Sequence, residues 1–187
     1  MPQDSSHDAA ARLSELEAHG TTTADALAFF DSLPDASLES CIGRWRGSDL
    51  PSGHPLDGML ETLGWYGKDF VDAETVHPLL FAGPDGSPVA LDPVPALAGQ
   101  ILRRPWLMRN PVSRAAFAAG RLLLRTREPR ARLRRMEHRG VSTAAMAYDA
   151  LPIIDVFRRV DADTMLGLMD LRGMPQPYFF VLRRVRP

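Results

Sequence analysis

"CIGRWRG", residues 41–47, sets a tryptophan between two arginines, with a glycine two positions to either side of it. The glycines at 43 and 47 let the backbone approach a neighbour closely or bend. The indole of Trp45 offers a large flat surface suited to closing the end of a rolled sheet.

The 187 residues suit one sizeable domain with a real core. A hydrophobic fraction of 45%, a charged fraction of 24% and a formal net charge of −1 argue against disorder. No apolar run approaches the roughly 20 residues of a spanning helix. The N-terminal "MPQDSSHDAAARLSELEAHG" carries acids where a secretory signal carries a basic region and an apolar stretch. The single cysteine, Cys41, has no internal disulfide partner, which fits a reducing compartment. A cytoplasmic location is the expectation.

Charge is unevenly spread. Residues 1–40 hold eight acids against Arg12, whereas residues 121–139 hold eight arginines against Glu128 and Glu137, so the two regions are expected to attract. No zinc-finger spacing, glycine-rich RNA-binding signature or paired aromatic platform accompanies the arginines, and the run reads as a solvated face rather than a nucleic-acid site. Lys68 is the only lysine.

Two helices open the chain. "AAARLSELEAH" places Leu13 and Leu16 on one face before Gly20, and "TTTADALAFFDSLP" starts at a Thr22/Asp25 capping pair and ends at Pro34. From Cys41 the period shifts toward two. "PLLFAGPDGSPVALD" reads as a hairpin turning at Gly83–Gly86. Beyond residue 130, five strand-length segments separated by tight breaks argue for an antiparallel meander. Between the strand blocks, Pro95 and the Asn110/Pro111 pair open two insert helices. The expected segments are helices over 1–40, first strands over 41–94, a helical insert over 95–129 and the meander over 130–187. Since open edges are an aggregation liability, the strands are expected to close as a mainly β, antiparallel barrel of about eight to ten strands with room for side chains or one small ligand.

In lipocalin-like (calycin-type) barrels, a Gly-X-Trp at the start of the first strand plugs the closed end and an arginine of the last strand lies across the ring. The C-terminal "FVLRRVRP" offers Arg183, Arg184 or Arg186, and Arg183 is taken here for that cation–π contact. Further, "GRWRG", "GHPLDGMLETLGWYGKDF" and "VHPLLF" resemble the bacterial family named for its GXWXG motif. "RGVSTAAMAYDALPIIDVFRRVDADTMLGLMDLRG" with "YFFVLRR" resembles the domain of unknown function that commonly follows it. Neither resemblance implies an activity.

Candidate chemistry falls in three places. His54, Asp57 and His77 lack metal-ligand spacing, so no metal or cofactor is expected, although a single histidine such as His77 or His54 holds haem in some related barrels. "LGWYGKDF" gathers Trp65, Tyr66 and Lys68; the lysine is a catalytic amine if buried, and otherwise sits on the surface beside Asp69 or Asp72. In "AYDALPIIDVFRRV", alternation separates Asp155 and Phe157 from Ile154, Val156 and Arg158. An inward Arg158 or Arg134 requires a carboxylate, either Asp155, Asp149 or that of a ligand.

These readings converge on a barrel that binds a small hydrophobic or amphipathic molecule, a fatty or aromatic acid for instance, through Trp65, Lys68, His77, Arg134, Tyr148, Asp155 and Arg158. The alternative is an isomerase, decarboxylase or hydratase using Tyr148, Asp155, Arg158, His77 or Lys68 as acid and base. The insert over 101–125, with Trp106, Leu107 and Met108, also reads as an amphipathic lid or membrane-surface element. Oligomeric state is not legible.

Overall fold

The computed structural model describes residues 2–83 and 85–186. Its strands are β1 Gly43–Asp49, β2 Trp65–Phe70, β3 Val76–Ala82, β4 Pro88–Ala90, β5 Ala131–His138, β6 Val141–Tyr148, β7 Ile153–Arg159, β8 Thr164–Leu171 and β9 Tyr178–Arg184. Each of β5 to β9 pairs antiparallel with the next, β9 pairs with β1, and β1–β2–β3 return to β5 through Val76 and Ala131. Eight strands therefore close an up-and-down, lipocalin-like barrel, and β4 pairs with the far half of β3. In the β3–β4 turn, Gly83 N–H donates to the Ser87 carbonyl at 2.7 Å. Pro84 of that turn lies outside the described residues.

Two apolar cores result from the period of two. Trp45, Phe70, Leu133, Met146, Phe157, Met165, Phe180 and Leu182 face the barrel interior. The opposite face of the same strands presents Ala145, Val156, Leu166, Leu168, Phe179 and Val181. Helices α1 (Pro2–His19) and α2 (Thr23–Ser32) cover that outer face with Leu13, Leu16, Phe29 and Phe30. The Thr22 hydroxyl caps α2 by accepting from Asp25 N–H at 3.1 Å. After α2, residues 34–36 wedge between β6 and β7: Ala144 N–H donates to the Ala36 carbonyl and Arg159 N–H to the Pro34 carbonyl. The expected attraction between acidic and arginine-rich regions takes the form of exposed pairs, Asp31 with Arg139 and Asp35 with Arg135.

The motif closes one end. A helical turn, α3 (Leu38–Cys41), lies across it, and the Trp45 indole N–H donates to the Cys41 carbonyl at 2.7 Å. The guanidinium over the ring, 4.2 Å from its centroid, belongs to Arg184. Arg183 is a correction to the sequence reading: β9 alternates, so Arg184 shares the inward face of Leu182 while Arg183 points out to Glu17 at 2.7 Å. Arg184 also donates to the Ile42 and Ser40 carbonyls at 2.7 Å each, tying α3 to the barrel. Burial pushes the Cys41 thiol up to about 12, so it stays protonated.

Candidate functional site at the barrel mouth

The opposite end stays open because β3 and β5 share only the Val76–Ala131 position before diverging. A short helix, α4 (Met59–Thr62), lies between β1 and β2, and over the gap lies the insert: α5 (Pro95–Arg103), a 3₁₀ turn Pro105–Arg109, α6 (Pro111–Gly120) and a second 3₁₀ turn Arg121–Leu124. Asn110 caps α6 by accepting from Val112 N–H at 2.8 Å. The insert is laced to β4 by Thr126 N–H to the Ala90 carbonyl, and Phe117 of α6 rests against Phe81 of β3 at 5.7 Å. Between insert and barrel is a cavity of about 130 Å³. Leu79 and Phe81 of β3, Ile153 and Met169 wall it from the barrel, and Ala98 and Leu102 of α5 roof it. Its titratable lining residues are Asp92, Tyr148 and Tyr178, and Asp92 is already paired with Arg130 at 2.8 Å.

Tyr148 links the cavity to a buried ion pair. Its ring stands 5.7 Å from the Lys68 ammonium, which also faces Phe180 at 5.0 Å and Trp65 at 5.6 Å. Lys68 Nζ donates to Asp155 Oδ2 at 2.7 Å and to the Pro78 carbonyl at 3.3 Å, with both side chains almost fully buried. Asp155 Oδ1 has no hydrogen-bond partner among the described residues, and neither has the Trp65 indole N–H. Desolvation raises Asp155 against the opposing pull of Lys68. Burial, then the charge of Asp155, holds the Tyr148 hydroxyl well above its ordinary range.

A second polar group lies beneath the same mouth. Tyr178 O–H donates to Asp49 Oδ1, while Asp49 Oδ2 accepts from Gly58 N–H at 2.6 Å. Burial raises Asp49 to about 6 although both hydrogen bonds oppose it. His54 packs on Tyr178 at 5.4 Å, and its Nδ1 accepts from Leu56 N–H at 3.1 Å, leaving Nε2 toward Met174 Sδ at 3.0 Å. Burial depresses the His54 imidazole. Tyr178 was legible only as part of an aromatic stripe with Phe180 and Leu182, and Asp49 was not singled out from sequence; extending the alternation of Trp45 by four residues puts Asp49 inward.

The candidates thus separate. Trp65, Lys68, Tyr148 and Asp155 meet inside the barrel. His77 sits opposite Asp69 in the β2–β3 register, away from the cavity lining, with Nδ1 buried and without a hydrogen bond among the described residues. Arg134 does not reach the interior: it is exposed and pairs with Glu74 at 2.8 Å. Arg158 is buried on the outer face beneath α2, donating to the Leu33 carbonyl at 3.2 Å and lying 5.2 Å from the Phe30 ring. The expected Arg158–Asp155 partnership is replaced by Lys68–Asp155, because the alternation of β7 sends the two to opposite faces. Lys68 is likewise inside rather than beside Asp69 or Asp72 at the surface. Among the described residues no group of three or more His, Cys, Asp and Glu side chains converges, and no helix is long and apolar enough to cross a membrane.

Family models match over two stretches: the GXWXG protein model covers residues 28–86, and the domain of unknown function DUF4334 covers residues 129–184. The chain is a GXWXG protein joined to a DUF4334 domain. In this GXWXG–DUF4334 chain the first match contributes β1–β3 and the second β5–β9, so the barrel closes only with both. A crystal structure of a protein from Thermomonospora curvata is similar at 34% identity and a TM-score of 0.70, covering 96% of this chain and 99% of that one. No match was found among curated proteins.

Proposed function

We propose that the barrel binds one small, largely apolar molecule in the cavity beneath the insert. The observation carrying this reading is the cavity itself, about 130 Å³ walled by aliphatic and aromatic side chains. An apolar cavity of about 150 Å³ takes up benzene, which sets the ligand scale at a single ring or a short chain. A long acyl chain requires the insert to lift. The arginines expected to meet a carboxylate lie elsewhere and the Lys68 charge is answered by Asp155, so the favoured ligand is neutral, with at most one group reaching the Tyr148 hydroxyl. Native mass spectrometry and thermal shift with toluene, phenol, hexanol and octanoate test this. The neutral compounds are expected to form one-to-one complexes and raise Tm more than octanoate does, and Ala98→Phe, which fills the roof, is expected to remove the effect without lowering Tm. A panel that neither binds nor shifts Tm sinks the reading.

The buried pair supports a second reading, in which an aldehyde in the cavity passes the Tyr148 ring and Lys68, 5.7 Å behind that ring, condenses with it. Asp155 accepts a proton from the ammonium, and the freed amine adds to the carbonyl carbon. Asp155 then returns the proton to the departing hydroxyl, giving water and a protonated imine beside the carboxylate. Since Lys68 is the only lysine, borohydride trapping with benzaldehyde is expected to place one adduct on it by peptide mass. An adduct confined to the N-terminal amine removes this reading.

A further inference from the structure

Most arginines of the barrel are paired and the described ones of the insert are not; on the barrel Arg46 lies over the Tyr66 ring, Arg158 is buried on the Leu33 carbonyl, and Arg159 and Arg172 have no carboxylate within ion-pair distance among the described residues. On the barrel and N-terminal helices, Arg12, Arg44, Arg130, Arg132, Arg134, Arg135, Arg139, Arg183, Arg184 and Arg186 each lie within ion-pair distance of a carboxylate. On the insert and the segment after it, Arg104, Arg114, Arg121, Arg125 and Arg127 have no carboxylate within ion-pair distance among the described residues, although the Arg125 charge reaches Asp85. The sequence explains this locally, because residues 93–127 contain no Asp or Glu at all. The same stretch exposes large apolar side chains: Trp106 is 58% exposed, Val112 74% and Leu123 89%. The side chain of Met108 lies outside the described residues.

Uncompensated positive charge interleaved with exposed apolar groups matches one kind of partner. A nucleic acid satisfies the arginines but gives Val112 and Leu123 nothing to bury against. A protein groove satisfies the apolar groups but needs its own cluster of acids. An anionic bilayer answers both, with lipid phosphates and carboxylates at the headgroups and acyl chains beneath. We propose that the insert with the segment that follows it, residues 95–127, docks onto the surface of membranes containing anionic lipid. Trp106 and Leu123 enter the interface and the arginines sit at headgroup level. This does not depend on what fills the cavity, but the element that docks is also the one that roofs it, so docking places the barrel mouth at the source of apolar molecules.

The test is flotation of the full-length protein with vesicles of phosphatidylcholine alone or mixed with phosphatidylglycerol. Flotation is expected only with the mixed vesicles, with loss at roughly 0.5 M salt, where screening shortens the reach of the charges to a few ångströms. Arg104→Gln/Arg114→Gln is expected to weaken vesicle affinity by roughly thirtyfold, each cation near such a surface being worth about fivefold. Arg125→Gln/Arg127→Gln serves the same purpose should the first variant melt early. Trp106 supplies a local readout, since Trp45 and Trp65 are buried: its emission is expected to shift blue with mixed vesicles, and Trp106→Phe to lose the shift. Equal behaviour toward both vesicle types, or retention of duplex DNA without flotation, overturns the proposal.

Discussion

Gly47 has no side chain because Trp65 occupies the place where one would go. A Cβ built there falls 2.3 Å from two atoms of the indole. Gly47→Ala is therefore expected to cost about 1–3 kcal/mol in urea denaturation, the usual range for overpacking. Gly47→Ala/Trp65→Phe should cost less than the sum of its singles, because the smaller ring leaves room; strictly additive costs sink that explanation. Trp45 was legible in the sequence because its flanking glycines stand at strand spacing, whereas choosing among three C-terminal arginines required the register of β9. Asp49 carries a pH dependence with a definite sign. Its folded value of about 6 stands above the ordinary 3.8, so the folded state binds the proton more tightly. Its stabilising effect is complete below about pH 4 and is lost as pH rises through 6, by up to about 3 kcal/mol. The stability difference between wild type and Asp49→Asn is expected to fall across that window, and a flat difference contradicts it.

At the scale of elements, one irregularity in β2 decides what the barrel contains. Regular alternation from Trp65 would put Gly67 inward and Lys68 outward, beside the surface acids. The β2–β3 register shifts on both sides of Gly67, whose φ is +144° and whose missing Cβ would fall 2.0 Å from the Trp45 carbonyl. That bulge turns Lys68 inward to Asp155. A bulge leaves little trace in sequence beyond the glycine, while on unbroken β7 the period of two already separated Asp155 from Arg158 without saying which of them faced inward. Lys68→Met should strand a buried carboxylate and cost about 3–5 kcal/mol, while Lys68→Met/Asp155→Leu should recover most of that. Chemical denaturation of the three proteins measures it. If the double variant is less stable than Lys68→Met, the stranded carboxylate is not what the single variant loses.

For the whole molecule, the strands carry two faces and neither is self-sufficient. Closure was legible because several short consecutive strands with tight breaks must hide their edges. The mouth cavity was not, since its size depends on how the insert seats over the β3–β5 gap and no local pattern encodes that distance. The outer face was half legible: the amphipathic N-terminal helices needed something to cover, but the sequence did not say which strands. They cover β6 to β9, and Phe30 meets both Phe179 and the Arg158 guanidinium there. Exposed pairs such as Asp31–Arg139 add at most about 1 kcal/mol each, so burial holds the helices down. Each fully buried large side chain they bring is worth about 1.5–3 kcal/mol. Deleting residues 1–33 would uncover Val156, Leu166, Leu168, Phe179 and Val181 as one apolar patch and free Arg158 from the Leu33 carbonyl. A patch of that kind is expected to drive self-association. Light scattering after size exclusion should find the truncated chain oligomeric or aggregated even if its circular dichroism keeps the barrel signal, and charged substitutions at Leu166 and Phe179 should restore a monomer. A truncated chain that runs as a monomer with an unchanged Tm would mean that the inner core alone sustains the barrel and that the helices are an accessory to it.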